Sequence, residues 1–398
     1  MSFLNKLCLI LLFGVYCEAQ KPLKKEAYMS VPSLIRAAGY PVEKHRVTTP
    51  DGYILQMHRI PAGRRSVRRT GGLNAKGKKA ILIVHGLGGS SSNFVIMGPK
   101  RSLAYLLADA GYDVWLANLR GTAHSSHTNL TRNDKKFWEF GFHEHGKYDV
   151  PAMIDRVLNV TGLEKIMYLG HSMGTTSFFT MMSERPEYND KLMAFVGLAP
   201  SVYQNNLKPL ANLALNTLEL TKVFKARGWL AVMPQLVQNI QANFCNQKQP
   251  ESDLCAMLVH ALVGDDMEQY DAEMAPIYLY RIQPLSWGCL EHYGKIALTG
   301  VFTTFDGGLS GPVIPYNISN VKIPVSLLYG ENDQLTEKSQ ILRLADELKA
   351  NGVLEDVRPA CSWPKFNHLD FVFAKDVGTL LNKPLVKQIE RLYNKYSP

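Results

Sequence analysis

Cysteine is scarce in this chain, with six in 398 residues. That density excludes a small disulfide-stapled scaffold. Charge is modest too: Asp, Glu, Lys and Arg make up 20% against 46% hydrophobic residues. Such a balance excludes a disordered chain and leaves ample material for a core. No repeat period is visible, which argues against solenoids and propellers. No apolar run approaches the roughly 20 residues of a membrane-spanning helix, so no transmembrane anchor is expected. Acidic residues are missing altogether between Arg59 and Lys79, where eight basic residues lie (Arg59, Arg64, Arg65, Arg68, Arg69, Lys76, Lys78 and Lys79). Those eight leave only +1 of the net +9 for the rest of the chain. A nucleic-acid binder would spread its basic residues over a docking face. A local run reads as a solvated loop, and no nucleic-acid partner is expected. Such a loop could also meet an anionic droplet surface or invite a protease, but a tolerated surface insertion is the plainer reading.

What the N-terminus contains points to a compartment. Lys6 precedes a short apolar stretch over 7–16, and Ala19 is a small residue suited to cleavage. That order predicts a signal peptide over 1–19. Three sequons, at Asn129, Asn159 and Asn317, agree with export and make glycosylation expected there. The expected location is secreted, the gut lumen included, with the lysosome as alternative. Outside the leader remain Cys245, Cys255, Cys289 and Cys361, which allow three full pairings. Cys245 and Cys255 stand ten apart in a polar stretch that closes easily, so they are the expected disulfide.

Along the chain, extended runs at 42–47 and 53–59 flank Thr49-Pro50-Asp51-Gly52 and predict a hairpin. Continuous apolar runs at 80–84, 113–117, 166–169 and 192–198 read as strands buried on both faces. Helical patterns at 102–110, 150–160 and 173–183 alternate with them. The alternation predicts an α/β fold with a mostly parallel sheet and right-handed crossovers. It stops at Ala199-Pro200 and resumes with a strand at 324–329, a helix at 338–350, a strand near 356–359 and a helix at 383–393. Residues 20–200 and 322–398 therefore read as two parts of one core, with a mainly helical cap over 201–321. An insertion there sits at the carboxyl edge of the sheet, where open α/β sheets bind ligands.

Gly170-His171-Ser172-Met173-Gly174 matches G-x-S-x-G between a strand and a helix, the context that motif requires. A serine hydroxyl needs a base, and the base an orienting acid. In this fold the order is Ser, acid, His. Asp333 follows a late buried strand and is the expected acid, with Glu331 and Asp306 as weaker alternatives. His368 lies before the last helix and is the expected base; every other His precedes Asp333. His171 is expected to point away from Ser172, and Asp370 reads as a helix cap. The backbone N–H of Met173 and one from the His85-Gly86-Leu87 loop, Leu87 first among them, are the expected oxyanion donors. His143-Glu144-His145 and His124-Ser125-Ser126-His127 have ligand-like spacing, but neither is an H-E-x-x-H helix. No metal and no cofactor are expected.

These residues, with Gly39-Tyr40-Pro41, Asn118-Leu119-Arg120-Gly121, Tyr148-Asp149-Val150-Pro151-Ala152 and Asn367-His368-Leu369-Asp370-Phe371, resemble the acid lipase family of gastric, lysosomal and insect digestive lipases. The resemblance covers nearly the whole chain beyond the leader. It implies an α/β-hydrolase core and a cap with a movable lid. It also implies hydrolysis of triacylglycerols or cholesteryl esters at an oil–water or membrane surface, with Ser172, Asp333 and His368 as triad and Leu87 and Met173 as oxyanion donors. The chain departs from the family at Met173, where Gln is usual, and at His124, where Trp is usual. The rival readings are a soluble carboxylesterase and a non-catalytic lipid-binding relative; the latter would have lost Ser, Asp or His, and all three are present. The apolar stretches 229–233 and 256–259 read equally as a lid surface or as a buried cap helix.

Overall fold

A computed structural model describes residues 22–64, 78–204, 225, 228, 230, 231, 242, 244–246 and 251–397. The expected leader 1–19, the basic residues Arg65, Arg68, Arg69 and Lys76, and residues 229, 232 and 233 of the first apolar stretch lie outside these.

Apolar runs became strands where they were long enough to be buried on both sides. The described strands are β1 (Glu43–Thr48), β2 (Tyr53–Ile60), β3 (Ala80–Val84), β4 (Asp113–Leu116), β5 (Ser125–His127), β6 (Ile166–His171), β7 (Leu192–Leu198), β8 (Val325–Tyr329) and β9 (Leu354–Pro359). They form one sheet in the order β1-β2-β4-β3-β6-β7-β8-β9, with β5 paired to β2. β1, β2 and β5 pair antiparallel, and the six strands from β4 to β9 are parallel. The pleat divides the core. Ile81 and Ile83 face the side packed by Leu385, Ile389 and Leu392 of the last helix, Lys383–Tyr396. Ala80, Leu82 and Val84 face the side packed by Met153, Ile154 and Val157 of Val150–Thr161. Gly162 ends that helix in the left-handed conformation, φ 71°.

Arg59 corrects the reading of the basic run. It does not belong to a solvated loop but to β2, where it is buried. Its guanidinium forks onto Asp113 at 2.8 Å twice and reaches Glu43 at 2.9 Å. At the loop's ends Arg64 reaches Asp109 and Lys79 lies near Glu390.

Between β7 and β8 the described residues form the helices Glu251–Val263, Ala275–Tyr280 and Trp287–Thr299, with no named strand among them. Cys245 and Cys255 are joined by a disulfide, and Cys289 and Cys361 are free. The helix Glu251–Val263 divides the second apolar stretch: Ala256 is buried, whereas Met257 is 63% and Leu258 50% exposed. No described helix is long and apolar enough to cross a membrane.

Candidate active site

β6 ends at His171 and the helix Met173–Glu184 starts two residues later, so the whole turn rests on Ser172. Ser172 has φ 52° and ψ −119°, one of two non-glycine residues with positive φ among those described. Such backbone strain persists only where surroundings over-determine it, and it clusters at active sites. Here its N–H is bonded to Leu198 O on β7 at 2.9 Å. Gly174 permits the turn because a Cβ there would lie 2.3 Å from Val84 O. Gly86 is equally constrained, since its Cβ would stand 2.9 Å from that of Ser172.

The two distant residues expected from chain order reach Ser172. His368 Nε2 is 2.9 Å from Ser172 Oγ, and His368 Nδ1 is 2.8 Å from Asp333 Oδ2. All three are buried. Asp333 Oδ1 accepts the N–H groups of Leu335 (2.9 Å) and Thr336 (2.8 Å), and Oδ2 also accepts the Thr336 hydroxyl (2.6 Å). Its four acceptor positions are thus used and its direction fixed. The weaker acid candidates lie elsewhere: Glu331 pairs with Lys338 at 3.0 Å, and Asp306 is exposed and accepts from Thr304. The N–H groups of Leu87 and Met173 carry no hydrogen bond among the described residues, as oxyanion donors require.

Supporting residues surround this row, and the sequence reading had no role for the first of them, His85. His85 Nδ1 lies 2.8 Å from Gly86 O, and its Nε2 accepts the Leu119 N–H at 3.1 Å. One ring therefore fixes the loop that carries Leu87. Burial pushes its pKa down to about 4, so the ring stays neutral and one nitrogen remains an acceptor. His171 does turn away from Ser172: its Nε2 faces His368 O at 3.3 Å, and burial, followed by the nearby His368, pushes it down to about 3. Asp370 serves the start of a helix as a capping-box acid does. It is the first residue of the helix Asp370–Phe373, and its carboxyl reaches back to the Asn367 N–H at 2.7 Å. Arg120, buried beside this region, binds Asp149 through Nε and Nη2 at 2.9 and 2.7 Å and Asp51 at 2.6 Å.

The ligand-like histidines disperse. His143 contacts the Tyr316 hydroxyl at 2.7 Å, Glu144 accepts the Gly141 N–H at 2.7 Å, and His127 lies against Asp51 O. No group of three metal-capable side chains occurs among the described residues.

A parallel sheet with a strained serine turn at the end of its central strand, and a His and an Asp arriving from later loops, defines the α/β-hydrolase class. Comparison with known proteins narrows it. Residues 79–368 match the family described as alpha/beta hydrolase fold, and residues 31–98 match the partial alpha/beta-hydrolase lipase region. Lipase 1 of Drosophila melanogaster is 35% identical over 383 residues, covering 94% of this chain and 82% of that protein. Lipase 3 of the same fly is 37% identical, covering 88% and 90%. Gastric triacylglycerol lipase of Bos taurus is 33% identical, covering 93% and 94%. A solved structure of a candidate lipase from Sulfolobus solfataricus shares the fold with a TM-score of 0.60 at 15% identity, covering 94% of this chain and 99% of that one. The chain belongs to the α/β-hydrolase lipase family. It is a carboxylic ester hydrolase of the lipid-ester class.

Proposed function

We propose that this enzyme cleaves neutral-lipid esters, triacylglycerol or cholesteryl ester, through an acyl-enzyme on Ser172. The observation that carries the reading is the hydrogen-bonded row from Ser172 Oγ through His368 to Asp333, at 2.9 and 2.8 Å. His368 Nε2 takes the Ser172 proton as Oγ attacks the ester carbonyl. Asp333 fixes the imidazole through Nδ1 and stabilises the imidazolium. The developing oxyanion sits between the N–H groups of Leu87 and Met173, and one such donor is worth about 2.7–4 kcal/mol of barrier. His368 then protonates the departing alcohol, and a water repeats the sequence to release the acid. Because both oxyanion donors are backbone, Met173 in place of the family's Gln leaves the step intact.

The described residues between β7 and β8 act as a cap over this site. Ser172 is only 8% exposed, so an ester reaches it when a cover moves. Residues Ile282 and Leu285 lie over Gly88 of the oxyanion loop, and Gln283 N–H donates to Gly88 O at 2.8 Å. Lipid substrate is supported by the outer face of Glu251–Val263. Leu254, Met257, Leu258 and Leu262 are all exposed there, at spacings that place them on one helical face. A soluble ester does not need such a face. Secretion is supported by the leader-like 1–19, by the disulfide, and by the exposure of the sequon residues Asn129, Asn159 and Asn317.

Hydrolysis rates on emulsified triacylglycerol, a cholesteryl ester and a soluble short-chain ester test the proposal, with Ser172→Ala as control. Preference for either emulsion is expected. Equal or greater rates on the monomeric ester would favour a soluble carboxylesterase.

A further inference from the structure

The loop that carries His368 is held by contacts outside the triad. Asn367 Oδ1 accepts the N–H groups of Leu369 and Asp370, at 2.9 and 3.2 Å. The Asp370 carboxyl accepts the Asn367 N–H at 2.7 Å. Asn367 and Asp370 therefore clasp one another around His368. The clasp is tied to the chain just past the helix Glu251–Val263. Asn367 Nδ2 donates to Gly264 O at 2.9 Å, and Asn332, beside Asp333, donates to Asp265 O at 2.8 Å.

Asp266 follows and is completely buried. Its Oδ2 accepts the Trp363 Nε1–H at 2.7 Å. Its Oδ1, also buried, has no N–H or hydroxyl donor among the described residues. The Asp370 carboxyl is the neighbouring acid with which Asp266 interacts. Two buried carboxyls in contact resist ionising together, so at neutral pH the pair holds one proton. Burial first, then the neighbouring Asp266, holds the Asp370 carboxyl up at about 8.

We propose that Asp370 is a positioning residue for His368, and that one proton shared with Asp266 bolts the His368 loop to the segment at 264–266. The inference rests on His368 being the base. The surrounding groups supply no substitute for that proton. On the Asp266 side, Lys365 is committed to Glu268 at 2.9 Å, and His260 Nδ1 accepts the Asp266 N–H at 3.2 Å. From other elements come Asp333, the Tyr278 hydroxyl and the Cys361 thiol, none of them cationic; Asp271 is paired with Arg101 at 2.7 Å.

Raising the pH removes the proton. Both carboxyls then ionise, their repulsion opens the contact, and His368 loses its restraint. Folding responds with the same sign. Asp370 in the native state binds a proton that the unfolded chain, at its ordinary 3.8, has released. The contribution to stability is largest in acid, falls as pH rises between these values, and is gone above about 8.

The test uses a soluble short-chain ester, so that no interface enters. For the full-length wild-type enzyme, kcat at about pH 9 is expected to be about one-tenth of kcat at about pH 7. In Asp266→Asn the amide keeps Trp363 on its oxygen and donates N–H to the Asp370 carboxylate, needing no shared proton. That ratio should rise about tenfold, to near one. Asp370→Asn bridges equally, with its oxygen on Asn367 N–H and its amide toward Asp266, and provides the second variant if the first misfolds. Infrared spectra give a reading independent of activity: a protonated carboxylic acid band at neutral pH in wild type, absent from Asp370→Asn. Wild-type ratios in both folded variants, with no such band, would overturn the proposal. His368→Ala run alongside separates the two readings. If it retains activity, the base assignment fails; if it is inactive while the ratios stay put, only the carboxyl pair fails.

Discussion

Strands β3, β6, β7 and β8 bury every residue on both faces, whereas the helix Glu251–Val263 turns Leu254, Met257, Leu258 and Leu262 outward. Both regions are apolar, yet they answer different needs. The sheet holds Ser172, Asp333 and His368 in a fixed row, and close packing leaves no slack for an atom to drift. The helix leaves apolar surface unsatisfied, a cost that makes sense only if something apolar arrives. On the proposed function, alignment of the reacting groups and contact with the substrate fall to separate parts of one chain. They meet where the Asn332 and Asn367 side chains bond to Asp265 O and Gly264 O.

The division can be broken at several levels. The largest effect belongs to the sheet side. Ser172→Ala and His368→Ala should each lower kcat by about 10⁴- to 10⁶-fold on every ester, soluble or emulsified, with circular dichroism unchanged. A loss confined to emulsions would place the chemistry elsewhere. Next comes the buried Arg120 network. Asp149→Ala strips the buried Arg120 guanidinium of one of its two carboxylates, leaving Asp51, and should cost about 3 kcal/mol in a denaturant titration. A smaller, regional effect is expected from Cys245→Ser with Cys255→Ser. Opening a loop of this length removes about 2–3 kcal/mol. Limited proteolysis should detect it between β7 and β8 before the sheet unfolds. The smallest effect falls on the exposed face. Met257→Asn with Leu258→Asn should lower emulsion turnover by about three- to tenfold and leave soluble-ester turnover alone. Equal losses on both substrates would mean that the helix face packs rather than binds.

How much of this was readable beforehand follows the same division. Ala80–Val84 and Leu192–Leu198 are unbroken apolar runs, and they became buried parallel strands with the boundaries their sequence suggests. Ser172, Asp333 and His368 were singled out because the turn has a sequence pattern and the partners a fixed order, and the fold brings the three within hydrogen-bond reach. β5 was missed: Ser125–His127 is short and polar, and it is a strand only because it pairs with Tyr53–Leu55 of β2. His85, His171 and Thr336 were given no role because each acts on backbone or on one carboxylate oxygen, at no recurring spacing. Asp370 was placed at a helix start, but its neighbour Asp266 comes from a distant part of the chain at no recurring spacing. Arg120 and Asp149 both stood in quoted motifs, but only the fold brings residues 29 positions apart into one ion pair. For Met257 and Leu258, composition left exposure and burial balanced, and helix direction decided it.

Ser172 and His368 are 196 positions apart along the chain, and Asp333 and His368 only 35. Domains form from the N-terminus as the chain emerges from the ribosome. The serine is therefore synthesised long before the residue proposed to take its proton, while its strained turn is locked only when the later strands complete the sheet. A nascent chain, or one cut anywhere before residue 368, holds an alcohol with no partner to activate it. On the roles proposed for Ser172 and His368, ester-cleaving power arrives last, when the final loop docks. The order of the residues along the gene thus delays the enzyme's activity until its manufacture is nearly finished.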